Sequence, residues 1–283
     1  MNRFSATLST KQFKILSRII QEQFGIQMPP EKKVMLESRL RKRLKALDMH
    51  DFKTYFDYLF SDEGQSVELI HMIDVVTTNK TDFFREAEHF EFLTQSALPD
   101  LILHHGTGVR RQLTVWSAGC STGEEPYTLC MVLSEFAKHY PGIDFDFFIL
   151  ATDLSTQVLD RASRAIYRMD QVEEIPLALK KQYLLRSKNR QEALVRIVPA
   201  LRNRVRFRRL NFMDEDFQMR EPMDIIFFRN VMIYFDKPTQ QRLIRKFHDL
   251  LVPGGFLFLG HSESISGYSS PFVQVAPSVY RRS

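Results

Sequence analysis

Only two cysteines, Cys120 and Cys130, occur in 283 residues, so neither a disulfide scaffold nor a cysteine-based zinc site is expected, and a reducing cytoplasm is the natural compartment. No apolar run approaches the roughly 18–20 residues that a membrane span needs. The best stretch, 225–235, is short and carries Arg229 and Asn230. The opening MNRFSATLSTKQFK has no apolar core behind its charges, so no secretory signal is expected. Internal repeats and low-complexity segments are absent. So are a Walker lysine, a GxGxxG loop, an HExxH helix and a serine nucleophile elbow. What remains is a globular composition, 44% hydrophobic and 26% charged, long enough for one large domain or two modest ones.

The net charge is +5, and it is concentrated. Residues 31–47 hold Lys32, Lys33, Arg39, Arg41, Lys42, Arg43 and Lys45 against Glu31 and Glu37, a surplus equal to that of the whole chain. A local acidic partner is therefore expected. Leu36, Leu40, Leu44 and Leu47 form one stripe on this helix, which predicts that the stripe packs inward and most basic groups stay free. A nucleic-acid partner is not expected. An RNA reader interleaves aromatics with its basic residues, and 31–47 has none. The arginines at 202, 204, 206, 208 and 209 read as a solvated strand face.

Two regions differ in pattern. Residues 1–80 read as helices: one capped by Ser9 and ending near Gly25, one opened by Pro30, and short ones at 51–60 and 64–76. Within residues 81–283, strands and helices alternate from about residue 112. Strands are expected at 113–118, 145–151, 223–228 and 256–259, with helices between them. That alternation predicts an α/β fold with a mainly parallel, doubly wound sheet. Runs at 193–198 and 205–207 break the rhythm and predict a small β hairpin within an insertion at about 183–209, and 272–280 suits a terminal antiparallel strand.

Four places carry chemistry. The loop 119–123 (GCSTG) follows the first strand, and the glycines leave room for a ligand. Glu124 and Glu125 come directly after it. Two carboxylates at a helix N-terminus oppose a pyrophosphate but suit a cationic, hydroxyl-bearing ligand such as a sulfonium nucleoside; they also suit the helix dipole alone. Asp153 ends the second strand, where a carboxylate accepts from ribose hydroxyls or caps the next helix. The linker 76–85 mixes small polar residues with two phenylalanines and Arg85, a candidate partner for a ligand carboxylate or part of a hinge. Arg229, Asn230 and Tyr234 follow a strand end and can reach a cleft there, and His261 lies at the end of another strand.

Five segments in order, TTNKTDFFR (77–85), WSAGCSTGEEPYTL (116–129), ATDLS (151–155), FFRNVMIYFDK (227–237) and LFLGHSES (257–264), closely resemble the CheR-type chemotaxis receptor methyltransferases. The resemblance spans about residues 10–282. It implies an all-α N-terminal domain followed by a Rossmann-like S-adenosylmethionine-dependent methyltransferase domain with a small β-subdomain. It also implies cofactor contacts from Asn79, Thr81, Arg85, Gly119, Glu125, Asp153, Asn211, Phe212, Arg229 and Asn230, with Arg85, Arg229 and Tyr234 in the catalytic cleft. Methyl transfer to glutamates in the cytoplasmic helical region of chemotaxis receptors is the implied activity, leaving S-adenosylhomocysteine. Lys32, Arg39, Lys42 and Arg43 are then the receptor contacts. No metal is needed, no membrane insertion is expected, and a monomer is expected. One departure stands out: the loop 187–193 lacks the glycine through which some relatives dock a receptor pentapeptide. From the residues alone, a methyltransferase acting on another protein, a small molecule or RNA, or a non-catalytic cofactor-binding adaptor, stays open.

Overall fold

The computed structural model describes residues 7–140, 142, 144–268 and 272–283. The first helix, α1 (Thr10–Phe24), begins at a reciprocal cap: Ser9 Oγ accepts from the Gln12 amide and Gln12 Oε1 accepts from the Ser9 amide. It stops at Gly25, which takes the left-handed conformation. Pro30 opens a single 3-10 turn that runs into α2 (Lys33–Ala46). Leu36, Leu40 and Leu44 of α2 are fully buried, while Leu47 lies past the helix end and is half-buried. Each buried leucine contributes about 1.5–3 kcal/mol. With α3 (Phe52–Leu59) and α4 (Leu69–Val76) they close a helical core from Leu8 to Val76.

A second body starts at the linker. Helices α5 (Glu88–Phe92) and α6 (Leu98–His105) precede the first strand, β1 (Leu113–Ala118). There follow α7 (Glu124–Lys138), β2 (Phe147–Asp153), α8 (Thr156–Arg164), β3 (Ile166–Arg168), α9 (Leu177–Tyr183), β4 (Leu184–Arg186), β5 (Leu194–Ile197), α10 (Pro199–Arg202) and β6 (Val205–Arg209). The chain ends with β7 (Met223–Phe228), α11 (Lys237–Leu250), β8 (Leu251–Leu259), β9 (Phe272–Ala276) and β10 (Val279–Arg282). Seven strands form one sheet in the order β6-β2-β1-β7-β8-β10-β9. The first five run parallel, and β10 and β9 are antiparallel. The order reverses at β1, which lies between β2 and β7, so the loops at the carboxyl ends of these strands surround a crevice. Among the described residues, no helix is long and apolar enough to cross a membrane.

Two expectations about strands need correction. Residues 205–209 do not form a hairpin with 193–198. They are β6, which pairs in parallel with β2 from Ile149↔Val205 to Asp153↔Arg209. The small subdomain is instead β3-β5-β4, drawing its first strand from Ile166, upstream of the expected 183–209. A short alternating strand presents the same face to either sheet, and only the route of the chain through α10 decides between them. The arginines in and just before β6 are not simply solvated either. Arg204 pairs with Asp146, Arg208 donates to the carbonyls of Phe217 and Gln218, and Arg209 donates to that of Leu154. The C-terminal strand is a hairpin of two, turning at Ser278.

Candidate functional site

The carboxyl ends of β1, β2 and β7 are level, with Ala118 beside Thr152 and Ser117 beside Phe227. A cavity of about 300 Å³ opens there, and the N-terminal helices cover it. Gly119 begins the loop after β1 at φ +90°, and a Cβ at this position would lie 2.5 Å from Val231 Cγ2. Glycine is therefore needed twice over, for the backbone angle and for the close approach. The Ser121 amide donates to Asp153 Oδ2 (2.9 Å), and the Ser121 hydroxyl donates to the carbonyl of Asn79 (3.2 Å). One serine thus ties the loop to the end of β2 and to the linker.

Asp153 is buried and also accepts from the Ser155 amide (2.9 Å). Ser155, not Asp153, caps α8. Burial raises the Asp153 carboxyl above its ordinary range, against the opposing pull of the surrounding amides. Each of its oxygens keeps a lone pair for a ligand. The two glutamates after the loop separate cleanly. Glu125 lines the cavity, accepting from the Ser117 hydroxyl (2.7 Å) and from Arg229 Nε (2.8 Å). Glu124 turns away into the protein, accepts from the Thr122 hydroxyl, and is pushed up to about 7 by burial.

Arg229 is itself buried, and its three nitrogens are all engaged. Nε holds Glu125, Nη1 donates to His89 Nδ1 (2.9 Å) and Nη2 to the carbonyl of Arg85 (2.8 Å). The guanidinium also lies over the rings of Phe90 and Phe227. Arg229 lines the cavity and at the same time ties Glu125, His89 and the Arg85 carbonyl together. Arg85 differs. It lines the cavity and makes one hydrogen bond, to the carbonyl of Lys80 (3.2 Å). Asn79, Thr81, Asn211, Phe212, Asn230 and Tyr234 line the same space. The Phe212 ring packs against Trp116, Phe228 and Phe235, so any polar contact from this residue comes from its main chain. The Tyr234 hydroxyl donates to the carbonyl of Thr78 (3.5 Å), and burial raises it so that it stays protonated at neutral pH.

The N-terminal domain supplies a wall that the sequence did not announce. Phe24, Ile26, Met28, Lys32 and Met35 face the cavity. The Gln27 amide donates to the carbonyl of Tyr234 (2.9 Å), and Asn211 Nδ2 to that of Gln23 (2.7 Å). Glu86 and His89 are further polar residues that no motif singled out, and Glu263 lies within the segment 257–264 with no role of its own expected there. Burial, with Arg229 beside it, pushes His89 down to about 4. His261, a candidate for the cleft, does not line it; its ring stands against that of His89, 5.0 Å between centroids. Glu86, His89 and His261 bring donor atoms within 4.8 Å of one another, yet Arg229 already supplies the cation there.

The basic helix also needs correction. Arg43 grips the buried Glu68 with two hydrogen bonds, and Tyr55 donates to the same carboxylate. Arg39 caps the end of α4 through the carbonyls of Val76 and Thr77 and the hydroxyl of Thr78. Neither is free for a receptor, because helix packing leaves orphan carbonyls and a buried carboxylate that these arginines satisfy. Lys42 and Lys45 are exposed, and Lys32, whose Nζ donates to the carbonyl of Gln27 (3.0 Å), lines the cavity.

The donor set fits a sulfonium nucleoside. The lining combines carboxylates of Asp153 and Glu125 with the guanidinium of Arg85. The chain is also similar to known methyltransferases. Residues 11–77 match "CheR methyltransferase, all-alpha domain", and residues 79–280 match "CheR methyltransferase, SAM binding domain". A chemotaxis protein methyltransferase of Borreliella burgdorferi is 38% identical over 283 residues, covering 99% of this chain and 98% of its own. Those of Klebsiella aerogenes (39% identical, 96% of this chain, 90% of its own) and Escherichia coli (37%, 96% and 91%) are similar over 273 residues.

Proposed function

The chain belongs to the CheR methyltransferase family, binds S-adenosylmethionine and acts in chemotaxis; on that premise we propose that it esterifies glutamate side chains in the cytoplasmic helical region of chemotaxis receptors. The observation that supports this is a cavity lined by Glu125, Asp153 and Arg85, with Lys32 on its N-terminal wall. S-adenosylmethionine supplies a methyl group already activated by its sulfonium. A receptor carboxylate oxygen forms the new C–O bond as the C–S bond breaks, its electron pair returning to sulfur, so the products are a methyl ester and S-adenosylhomocysteine.

A glutamate carboxylate is ionised at pH 7, so no general base is required. What the protein contributes is position and desolvation, which can supply several kcal/mol. Arg85 anchors the donor's carboxylate end. Arg229 holds the Glu125 side chain in place through Nε. Tyr234, held between the linker and Gln27, presents a protonated hydroxyl beside the entering carboxylate. Lys32 stands at the entrance, where a receptor's acidic side chains arrive.

The test is incubation with methyl-labelled S-adenosylmethionine and receptor-containing membranes. Label on the receptor that mild alkali releases as methanol is the expected result. Alkali-stable label, or label on added RNA in place of the receptor, overturns the glutamate ester assignment.

A further inference from the structure

We propose that Glu263 is a positioning residue for methyl transfer, holding the loop that carries Asn230 and Tyr234 without entering the cavity. This rests on the methyltransferase reading above. Strands β7 and β8 are neighbours, with Phe228 beside Leu259, and both stop at the rim of the site. Past their ends the ladder no longer serves the backbone, and the amides of Asn230, Gly260 and Ile233 need other acceptors. One side chain meets all three. Glu263 Oε2 accepts from the amides of Gly260 (2.7 Å) and Asn230 (2.8 Å), and Oε1 accepts from that of Ile233 (3.4 Å). Glu263 is 5% exposed. A carboxylate with two oxygens and about four lone-pair positions suits the task, and a hydroxyl or amide does not.

What the carboxylate holds is costly to hold otherwise. Asn230 sits at φ +59°, left-handed backbone that non-glycine residues seldom adopt, asparagine more readily than most. Its side chain is fixed separately, Nδ2 donating to Glu86 Oε1 (3.3 Å). Gly260 leaves no slack, since a Cβ there would lie 2.9 Å from the Asn230 nitrogen. Asn230, Val231, Ile233 and Tyr234 all line the cavity, and Glu263 does not. Its effect on the reaction therefore passes through the loop.

The discriminating variant is Glu263→Gln, which keeps the shape but turns one acceptor into a donor facing amide N–H groups. Per molecule able to bind S-adenosylhomocysteine, kcat for receptor methylation should fall about tenfold or more, as expected from a lost charge-assisted hydrogen bond. KM for receptor should change less than about threefold. In an Asn230→Ala background the same substitution should cost much less, because the two act through one loop. Normal kcat in the folded fraction, with only Tm and binding stoichiometry reduced, overturns the proposal, as do fully additive losses in the double variant. If the unaltered protein methylates no receptor, the functional reading fails by itself. Hydrogen exchange then decides the clamp: faster exchange in Glu263→Gln confined to residues 229–235 and 260–263 upholds it, and unchanged exchange removes it.

Discussion

Asp153 and Arg85 carry the sharpest expectations at the scale of single residues. Asp153 already satisfies two amides and lines the cavity. Asp153→Ala should weaken S-adenosylhomocysteine binding by about 1–3 kcal/mol. Calorimetry on the folded variant checks this, and unchanged affinity would reduce Asp153 to a tie between two loops. Arg85 and Arg229 then separate by what else they hold. Arg85→Ala loses one hydrogen bond to a carbonyl, so Tm should barely move while methyl transfer is lost. Arg229→Ala strips Glu125 and Glu86 of a buried counter-charge and should lower stability by about 3–5 kcal/mol. Thermal unfolding of the two variants, measured side by side, should rank them in that order.

At the scale of the element, α2 is two-faced. Its inner arginines build the domain, and its outer lysines are available to a partner. Arg43→Glu would set a carboxylate against the buried Glu68 and should cost about 3–5 kcal/mol of stability. Reversing Lys42 and Lys45 together should leave Tm in place and raise KM for receptor. Each exposed pair contributes only about 0.2–1 kcal/mol, so the effect comes from several acting at once and fades as salt rises. A double reversal that alters neither KM nor the salt response would shift recognition away from α2, toward the β3-β5-β4 subdomain.

For the molecule as a whole, buried titrating groups give stability a pH dependence with a definite sign. Glu124 is pushed up to about 7 by burial from its ordinary 4.5, so the folded chain keeps this proton longer than the unfolded one. Its contribution favours folding below the unfolded value and is lost as pH rises toward about 7. His89, pushed down to about 4 from 6.5, works oppositely, losing stability as pH falls from 6.5. The two overlap and mask one another. Subtracting the Glu124→Gln profile isolates the first: the difference should decline between pH about 4.5 and 7 and be level above. Urea unfolding across that range is the measurement, and a flat difference would show that Glu124 is solvated.

Sequence alone determined the periodic elements, because burial on one face imposes its period wherever the partner lies. The Ser9 and Gly25 helix limits, the leucines of α2, and strands β1 and β7 were legible in this way. The residues at strand ends were legible too, since a polar side chain just past an apolar run must face the rim of a parallel sheet. Glu125, Asp153, Asn230 and Tyr234 line the cavity for that reason, and Asn79 lines it from the linker after α4. Partner choice was decided only by the tertiary structure. Residues 205–209 pair with β2 because the chain returns to the main sheet, although their own pattern suits either sheet. Arg39 and Arg43 turned inward because Glu68 and the end of α4 lie beneath them, 25 or more residues away in the chain. Phe24 and Met28 joined the cavity wall, and Glu263 the loop beside it, for the same reason. Hydrogen bonds and charges are satisfied by whatever the fold brings near, and a linear pattern does not record that distance.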